Sequence, residues 1–482
     1  MGTNMIKKHI EESLNLVAGL KNLNTCSVKG ISFMENRDIN VAKEKNDFVF
    51  SFYSPYQENQ TINSIKSNYL NEFKIIKNDK TYIVPKNSLI TSYKDLWNET
   101  NDFSCKVSSQ CMYSENINLQ ENYFFRSIIP LTEDNIRLDE INYWTFDSIK
   151  VFVNNNEFHF WKLKIDKESF LIIDSTIPCS LDLAYNIPLS ILVAYGFLFG
   201  TIHLNEMYIV LSNENNFENP KGIYYKSLRE TIKGQYSIFT TNAYSVLVPI
   251  GKNEDNQNGE QRAIQKITDE GWGFRIDRFD KFSELVQEIY NNDSILRSGM
   301  MIIEASKFAI DIQLAVYCVA LETLSDYVIK RHCSGKHVVI DKNIWKNHLK
   351  PLFEEIINKL KNDTEKSIDE NQISFLEKKI ENINQPTNQD TLIQPFEILG
   401  YSLSIEEKKC IDYRNKVLHG NLPIKNNENE IDKLFYVNLM LHKLCSVLIL
   451  KLVGFEGYII NNIKLHEKNI KRTINEEGFL KI

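Results

Sequence analysis

The sequence predicts a two-part α+β chain. A β-rich amino-terminal half, residues 1–280, holds a few helices, and an all-α helical bundle occupies 281–482. Three observations carry this prediction. Between about 28 and 180, short runs of β-branched and aromatic residues are separated by Asn, Asp, Lys and Gly, the pattern of antiparallel strands and turns. From Asp280 on, apolar residues recur at helical spacing, as a packed helix requires. Inside the helical part, 362–395 turns polar and charged, which marks an insertion.

Composition sets the outer bounds. At 482 residues the chain has room for two or three domains. Apolar content of 43% with 25% charge is that of an ordinary globular protein, with no need of disulfides or metals for a core. The eight cysteines are scattered, with no Cys-x-x-Cys pair, which argues against a zinc ribbon or a thioredoxin-like site. Cys318 and Cys445 fall on apolar helices and read as reduced core residues, so a cytoplasmic location is expected. The net charge of −7 excludes a dedicated duplex-DNA binder and confines any nucleic-acid contact to a local patch. Two apolar runs bear on membranes. Pro188–Gly200 is too short to span a bilayer, and Leu434–Phe455 is interrupted by Lys443 and Lys451, so no membrane partner is expected.

The elements follow in order. Residues 1 to about 25 read as an amphipathic helix with Ile6, Ile10, Leu14, Val17 and Leu20 on one side. Strands are expected at Asp47–Tyr53, Lys80–Val84, Ile149–Val153, Glu157–Lys164 and Ser169–Asp174, with a hairpin at Asn154-Asn155-Asn156. Leu183–Leu198 reads as a buried helix, Glu206–Ser212 as a strand, and Tyr236–Pro249 as two more extended runs. Gly251–Gln261 reads as an exposed loop, and Gly271-Trp272-Gly273-Phe274 as a turn, since it lacks the context of a phosphate loop. Phe282–Tyr290 predicts a short helix. A long one capped at Asp293 or Ser294 should run to Arg331, and its apolar residues (Ile302, Phe308, Ile312, Val316, Val319 and Leu324 among them) cover more than one face. Such a helix is expected to be buried on several sides. Asp341 starts another, bent at Pro351. A helical island covers Ile373–Ile383, and Pro386 and Pro395 close the polar insertion. The end is a tail, from Asn461, that is basic and then apolar at Phe479-Leu480.

Chemistry concentrates at Arg414-Asn415-Lys416-Val417-Leu418-His419-Gly420. Ser404 and Glu407 form a capping box, so a helix should start near Ile405, and Gly420 with Pro423 should stop it. Five residues turn an ideal helix by about 500°, leaving Arg414 and His419 about 140° apart. They converge only where the helix ends or kinks. A guanidinium holds a phosphate by two parallel hydrogen bonds, and an imidazole moves a proton near neutral pH. Together they are the minimum set for cutting a phosphodiester without a metal.

This segment resembles the signature of the HEPN ribonucleases: an Arg, often followed by a polar residue, and a His separated from the Arg by four to six residues, between the last two long helices of a small bundle. Asn415 fills the polar position, and a final helix from Glu430 to about Val453 follows. Arg331 and His337 match the spacing too, but follow the first long helix and lack the Asn. In its placement of a β-rich region before the bundle, the chain is similar to ApeA-like anti-phage HEPN proteins. The resemblance implies metal-independent endoribonuclease activity without a cofactor, leaving a 2′,3′-cyclic phosphate. His419 would be the general acid or base, Arg414 would stabilise the phosphate charge, and Asn415 would position the site. Glu322, on the first long helix, would orient His419 or pair with Arg414, with Asp326 as its substitute. Lys330, Arg331, Lys336 and Lys416 would contact RNA, with tRNA one candidate. The resemblance also implies a homodimer and a role in bacterial antiviral defence, abortive infection or growth arrest, with a phage-derived or cellular trigger bound by the amino-terminal half. The alternative is an inert HEPN-type dimerisation or adaptor protein with an amino-terminal ligand- or protein-binding β module, in which Arg414 is structural and His419 caps a helix. The histidines between His332 and His348 match no metal-ligand spacing.

Overall fold

The computed structural model describes residues 2–31, 37–55, 69–86, 88–96, 102–131, 148–236, 238, 281–332, 340–362, 369–384, 388–418, 428–476 and 478–482. These form two compact units: Met1–Glu304 with Tyr458–Ile460, and Ala305–Gly457 with Asn461–Ile482. The division falls later than the change of sequence pattern near 280.

In the first unit, a β-rich sequence becomes one 15-stranded sheet whose described pairings are antiparallel. The expected strands appear as Asp47–Pro55, Lys80–Val84, Ile149–Val153, Asn156–Ile165, Glu168–Ser175 and Glu206–Ser212. The hairpin is made at Asn154 and Asn155, both at positive φ, a backbone that Asn tolerates and a tight hairpin turn demands. The sheet curls over on itself. Asp47–Pro55 and Gly222–Ser227 lie six places apart in strand order, yet the rings of Phe48 and Tyr225 meet edge to face at 4.7 Å. The Ser227 hydroxyl donates to Asp47 at 2.9 Å.

Helix α1 (Gly2–Lys21) ends sooner than its apolar pattern suggested, and a strand starts at Thr25. Ile10, Val17 and Leu20 enter the same core as the curled sheet. Beneath them Arg126 donates twice to Asp174, at 2.7 and 3.1 Å, and once to Ser13 of α1 at 3.4 Å. Burial of that guanidinium is tolerable because its charge is paired and its donors are used. Helix α2 (Leu181–Phe199) is capped by Ser180 and by Gly200 at φ +77°, where a residue without Cβ carries no penalty. Helices α3 (Phe282–Asn291) and α4 (Asp293–Ala305) follow. Helix α3 packs on α2 and on the strand Ile149–Val153. Its Ser283 and Gln287 accept from the backbone of Phe152 and Asn154 at 3.1 and 2.7 Å. These contacts place α3 with the β-rich unit, although its sequence pattern is that of the helical half.

The single long helix expected from Asp293 to Arg331 is two. Helix α5 (Ile310–His332) starts after a break at Ser306–Ala309. Gln313 closes the break by donating to the carbonyls of Ser306 and Phe308 at 3.3 and 2.8 Å. A glutamine inside an apolar run does not disturb helical periodicity, so the break was invisible in it. Nor is α5 covered all round: Phe308 beside it, Ile312 and Val319 are 42, 49 and 44% exposed.

A short helical turn at Lys342–Ile344, capped by Asp341, passes through a π turn at Trp345–Leu349 into α6 (Lys350–Lys361). The π turn sits just before Pro351, which has no N–H for a regular ladder. Helix α7 (Glu370–Asn382) covers the expected helical island. Helices α6 and α7 each bury a single residue, Ile357 and Ile380. The base of this hairpin is tied where Asn384 both accepts from and donates to the Ile340 backbone, at 2.7 and 2.9 Å. Pro395 does not close the insertion: it lies inside α8 (Asn388–Ile398), near its end. Pro386 lies outside the described residues.

Helices α9 (Ile405–Leu418) and α10 (Glu428–Leu452) complete the second unit. Helix α5 packs against α10, α8 and α9. Asn438 of α10 donates to the Ile310 carbonyl at 2.7 Å. Cys318 and Cys445 are free, buried thiols, as their apolar settings suggested. At the end of the chain, Gly457 and Ile482 exchange backbone hydrogen bonds at 3.2 and 2.8 Å. Among the described residues, three helices, α2, α5 and residues Glu430–Leu452 of α10, are long and apolar enough to cross a membrane by length and composition. The extension of α2 to 19 residues corrects the expectation that its apolar run is too short. Burial separates the three, since the apolar window of the last is 89% buried and that of α5 only 50%.

Candidate functional site

The site is built from the start of α9. Ser404 and Glu407 make the predicted capping box: the Ser404 amide donates to Glu407 at 2.7 Å, and the Glu407 amide to the Ser404 hydroxyl at 3.2 Å. Glu407 does more than cap. Its carboxylate pairs with Lys443 of α10 at 2.8 Å and accepts from the Tyr401 hydroxyl at 2.8 Å. Both charged side chains are nearly enclosed, at 4 and 8% exposure. Burial alone raises a carboxyl pKa, but Lys443, with the Ser404 amide and the Tyr401 hydroxyl, outweighs it and holds Glu407 below its ordinary value. The helix is thereby pinned to α10 through a saturated ion pair.

From that anchor, the buried side of α9 runs Glu407, Cys410, Ile411, Arg414 at helical spacing. Arg414 therefore reaches into the bundle, with 14% of its side chain exposed. Its guanidinium pairs with Glu322 of α5. Of the two placements the resemblance implied for Glu322, this is the pairing with Arg414. Glu322 is more open, at 36%, so the pair sits at the margin of the core. The Cys318 thiol lies close enough to feel the Arg414 charge, yet burial dominates and pushes its pKa up to about 12. Cys318 is thus an inert neighbour and no nucleophile.

Helix α9 continues through Leu418, so Asn415 and Lys416 belong to its last turn. Their side chains, with His419, Gly420 and Pro423, lie outside the described residues, as do Lys336, His337, Cys333, Gly251–Gln261, Gly271–Phe274 and nearly all of Tyr236–Pro249. Lys330, Arg331 and Asp326 are exposed on the last turns of α5. Arg331 donates to Tyr327 at 3.3 Å, a contact along its own helix and apart from the Arg414–Glu322 pair. Lys342, Lys346 and His348 are exposed as well. No group of three His, Cys, Asp or Glu side chains with metal-binding geometry occurs among the described residues.

Sequence reasoning missed two features of this bundle. His442, in the middle of α10, is buried edge to face against Tyr317 with ring centroids 5.8 Å apart. Burial lowers its pKa to about 4, so it stays neutral and cannot serve as an acid near neutral pH. The buried Ser325 hydroxyl on α5 and the Gln394 side-chain oxygen on α8 make no hydrogen bond among the described residues. The helical pattern around Ser325 and Gln394 gave no signal, because a single polar residue leaves the apolar period intact. Comparison with protein-family models, with characterised proteins and with solved structures finds no match.

Proposed function

We propose that the helical unit is a HEPN-type endoribonuclease that cleaves RNA without a metal, with Arg414 and His419 as its reacting pair. The observation that carries this reading is the placement of Arg414. It lies on the inner side of α9, ahead of the last long helix, and is held from α5 by Glu322. A guanidinium fixed by a carboxylate is preorganised to receive phosphate oxygens. In this reading the RNA 2′-hydroxyl attacks the adjacent phosphorus, His419 transfers the proton, and Arg414 takes the charge that develops on the phosphate. Asn415 positions the site, and Lys330, Arg331, Lys336 and Lys416 contact the RNA backbone. The protein acts in the cytoplasm as a homodimer in antiviral defence or growth arrest, and the β-rich unit senses a phage-derived or cellular trigger. The deciding experiment is cleavage of a labelled RNA pool by wild type and His419→Ala. Products ending in 2′,3′-cyclic phosphate from wild type alone support the reading, and equal cleavage by both ends it.

One observation favours a second reading, an inert HEPN-type adaptor. Arg414 is mostly enclosed and already charge-paired, which is how a structural arginine is kept in a core. An Arg414→Ala variant that unfolds, together with a wild type that cuts no RNA, would select the adaptor.

A further inference from the structure

Each helix of the α6–α7 hairpin buries one residue, yet the pair carries more apolar side chain than that. Leu352 and Ile356 of α6 are 57 and 54% exposed, Phe375 of α7 is 60% exposed, and Ile383 just past its end is 46% exposed. Polar and apolar residues are sorted to opposite sides. Glu354 and Asn358 of α6, with Glu377 and Glu381 of α7, line the cleft between the helices. Helical spacing turns Leu352 and Ile356 about half a turn away from Glu354 and Asn358, and Phe375 and Lys379 about half a turn away from Glu377 and Glu381. Because the helices share the cleft from their glutamate sides, these opposite sides form one surface on the far side of the hairpin. An open hollow on α7, lined by Asn371, Gln372, Phe375 and Leu376, lies in it.

One charge stands in this surface. The Lys379 ammonium lies 5.4 Å from the centroid of the Phe375 ring. The residues three and four places from it along the helix are Phe375, Leu376, Asn382 and Ile383, none of them acidic. Glu377 of the same helix is engaged by Lys361 at 2.7 Å, and Glu355 of α6 by Lys359 at 2.7 Å. A helix pair with an uncovered apolar side lacks the second layer that completes a bundle. Whatever covers this side also removes Lys379 from water, and a desolvated ammonium needs a carboxylate. A second copy does not bring one, because an isologous contact sets the same surface against itself, lysine toward lysine. A bilayer surface suits a helix whose polar side is basic, whereas the polar side of this hairpin carries Glu354, Glu377 and Glu381.

We propose that this side of the hairpin docks an amphipathic helix of a partner protein, one that carries an acidic residue beside its apolar stripe. The stripe lies along Leu352, Ile356, Phe375 and Ile383, with one apolar side chain seated in the hollow beside Phe375. The partner's carboxylate pairs with Lys379, and the three helices together make a small bundle. Helices α6 and α7 have 12 and 13 residues, about 18–20 Å of length, which matches a partner helix of about three to four turns. The surface uses none of the residues assigned to RNA cleavage.

The test uses two synthetic peptides of about 18 residues, long enough to hold a helix. They share one leucine stripe and differ only in its flanks, Glu in one and Lys in the other. Binding to the full chain is read by fluorescence anisotropy at low ionic strength. The Glu-flanked peptide should bind at least about tenfold tighter than the Lys-flanked one, and Lys379→Glu should reverse that order. Phe375→Asp should abolish binding of the Glu-flanked peptide, with a thermal melt to confirm that the variant folds. Equal affinity for the two peptides, or an order that Lys379→Glu leaves unchanged, would overturn the proposal. So would a wild-type dimer in light scattering that Leu352→Asp with Phe375→Asp turns into a monomer, since a second copy would then be the occupant. Cosedimentation with phosphatidylserine vesicles that Phe375→Asp abolishes would overturn it in favour of a membrane surface.

Discussion

At the scale of residues, the pairing of Arg414 with Glu322 changes what a substitution should do. If Arg414 and His419 act together, His419→Ala and Arg414→Ala should each lose about 10²-fold or more in cleavage rate. Arg414→Lys should not restore it, because an ammonium cannot present a two-pronged donor. The two alanine variants should differ in stability. Arg414→Ala leaves Glu322 of α5 without its cation, so its Tm should fall. The Arg414→Ala, Glu322→Ala double variant should recover part of that Tm while staying inactive, since it removes the stranded charge along with the catalyst. Arg331→Ala is the control: its side chain is exposed at the end of α5 and donates to Tyr327 of its own helix, so it should keep the rate of the chemical step. Single-turnover cleavage and thermal melts on these variants check all of this. A double variant less stable than Arg414→Ala alone would show that the pair is not what holds this position.

At the scale of elements, α9 owes its place to Glu407. A capping box on a peptide helix contributes about 1 kcal/mol, but this one ends in a buried ion pair with Lys443. Breaking such a pair by removing one partner costs about 3–5 kcal/mol, so Glu407→Gln should destabilise the second unit on that scale. The pH sign follows from the depressed pKa of Glu407. Its contribution is fully present above the ordinary carboxyl pKa and is lost as pH falls through the lower folded value. Wild type should therefore lose stability on acidification below the ordinary carboxyl range, and Glu407→Gln should lose less of it there. Denaturant melts between pH 7 and 3 measure the difference, and parallel curves would refute the assignment. The α6–α7 hairpin is the opposite case. Each of its helices buries one residue, and its base is closed by the Asn384–Ile340 bonds. Replacing 342–383 by a short Gly/Ser link should leave the α5, α8, α9 and α10 bundle cooperatively folded. Loss of the cooperative transition would show that the hairpin is part of the core.

At the scale of the whole molecule, assembly is the open physical question that α5 poses. A helix apolar enough to cross a membrane, yet half uncovered by its own chain, leaves Ile312 and Val319 in solvent. If two bundles pair through this face, light scattering should give a dimer at micromolar concentration, and Ile312→Asp with Val319→Asp should give a folded monomer. A wild-type monomer would remove the dimer from the proposal. Metal use is tested on the same sample. An Arg/His site needs no divalent ion, so cleavage should persist in EDTA, and activity lost in EDTA and restored by magnesium would contradict the mechanism.

What the sequence determined by itself is local. The capping box at Ser404 and Glu407, the Asn154–Asn155 turn and the strand Glu206–Ser212 could be read within a residue or two. In each, the stabilising partners are neighbours in the chain, or the alternation shows directly which face is buried. Of the Arg414–His419 spacing, which is equally local, the structure describes the Arg414 side chain and its pairing with Glu322. Tertiary structure alone decided the rest. Helix α3 has a helical pattern like those of the bundle, but its partners are Phe152 and Asn154, far away along the chain. The break before α5 is stabilised by one glutamine that periodicity cannot distinguish from a surface residue. Glu407 looked like a cap, and Lys443 made it a buried anchor. Lys43 reads as an ordinary strand lysine until a curled sheet brings Glu206, Tyr208 and Tyr225 around it. Charge, burial and proton affinity depend on what packs within a few ångströms, and that set is assembled from residues distant in sequence.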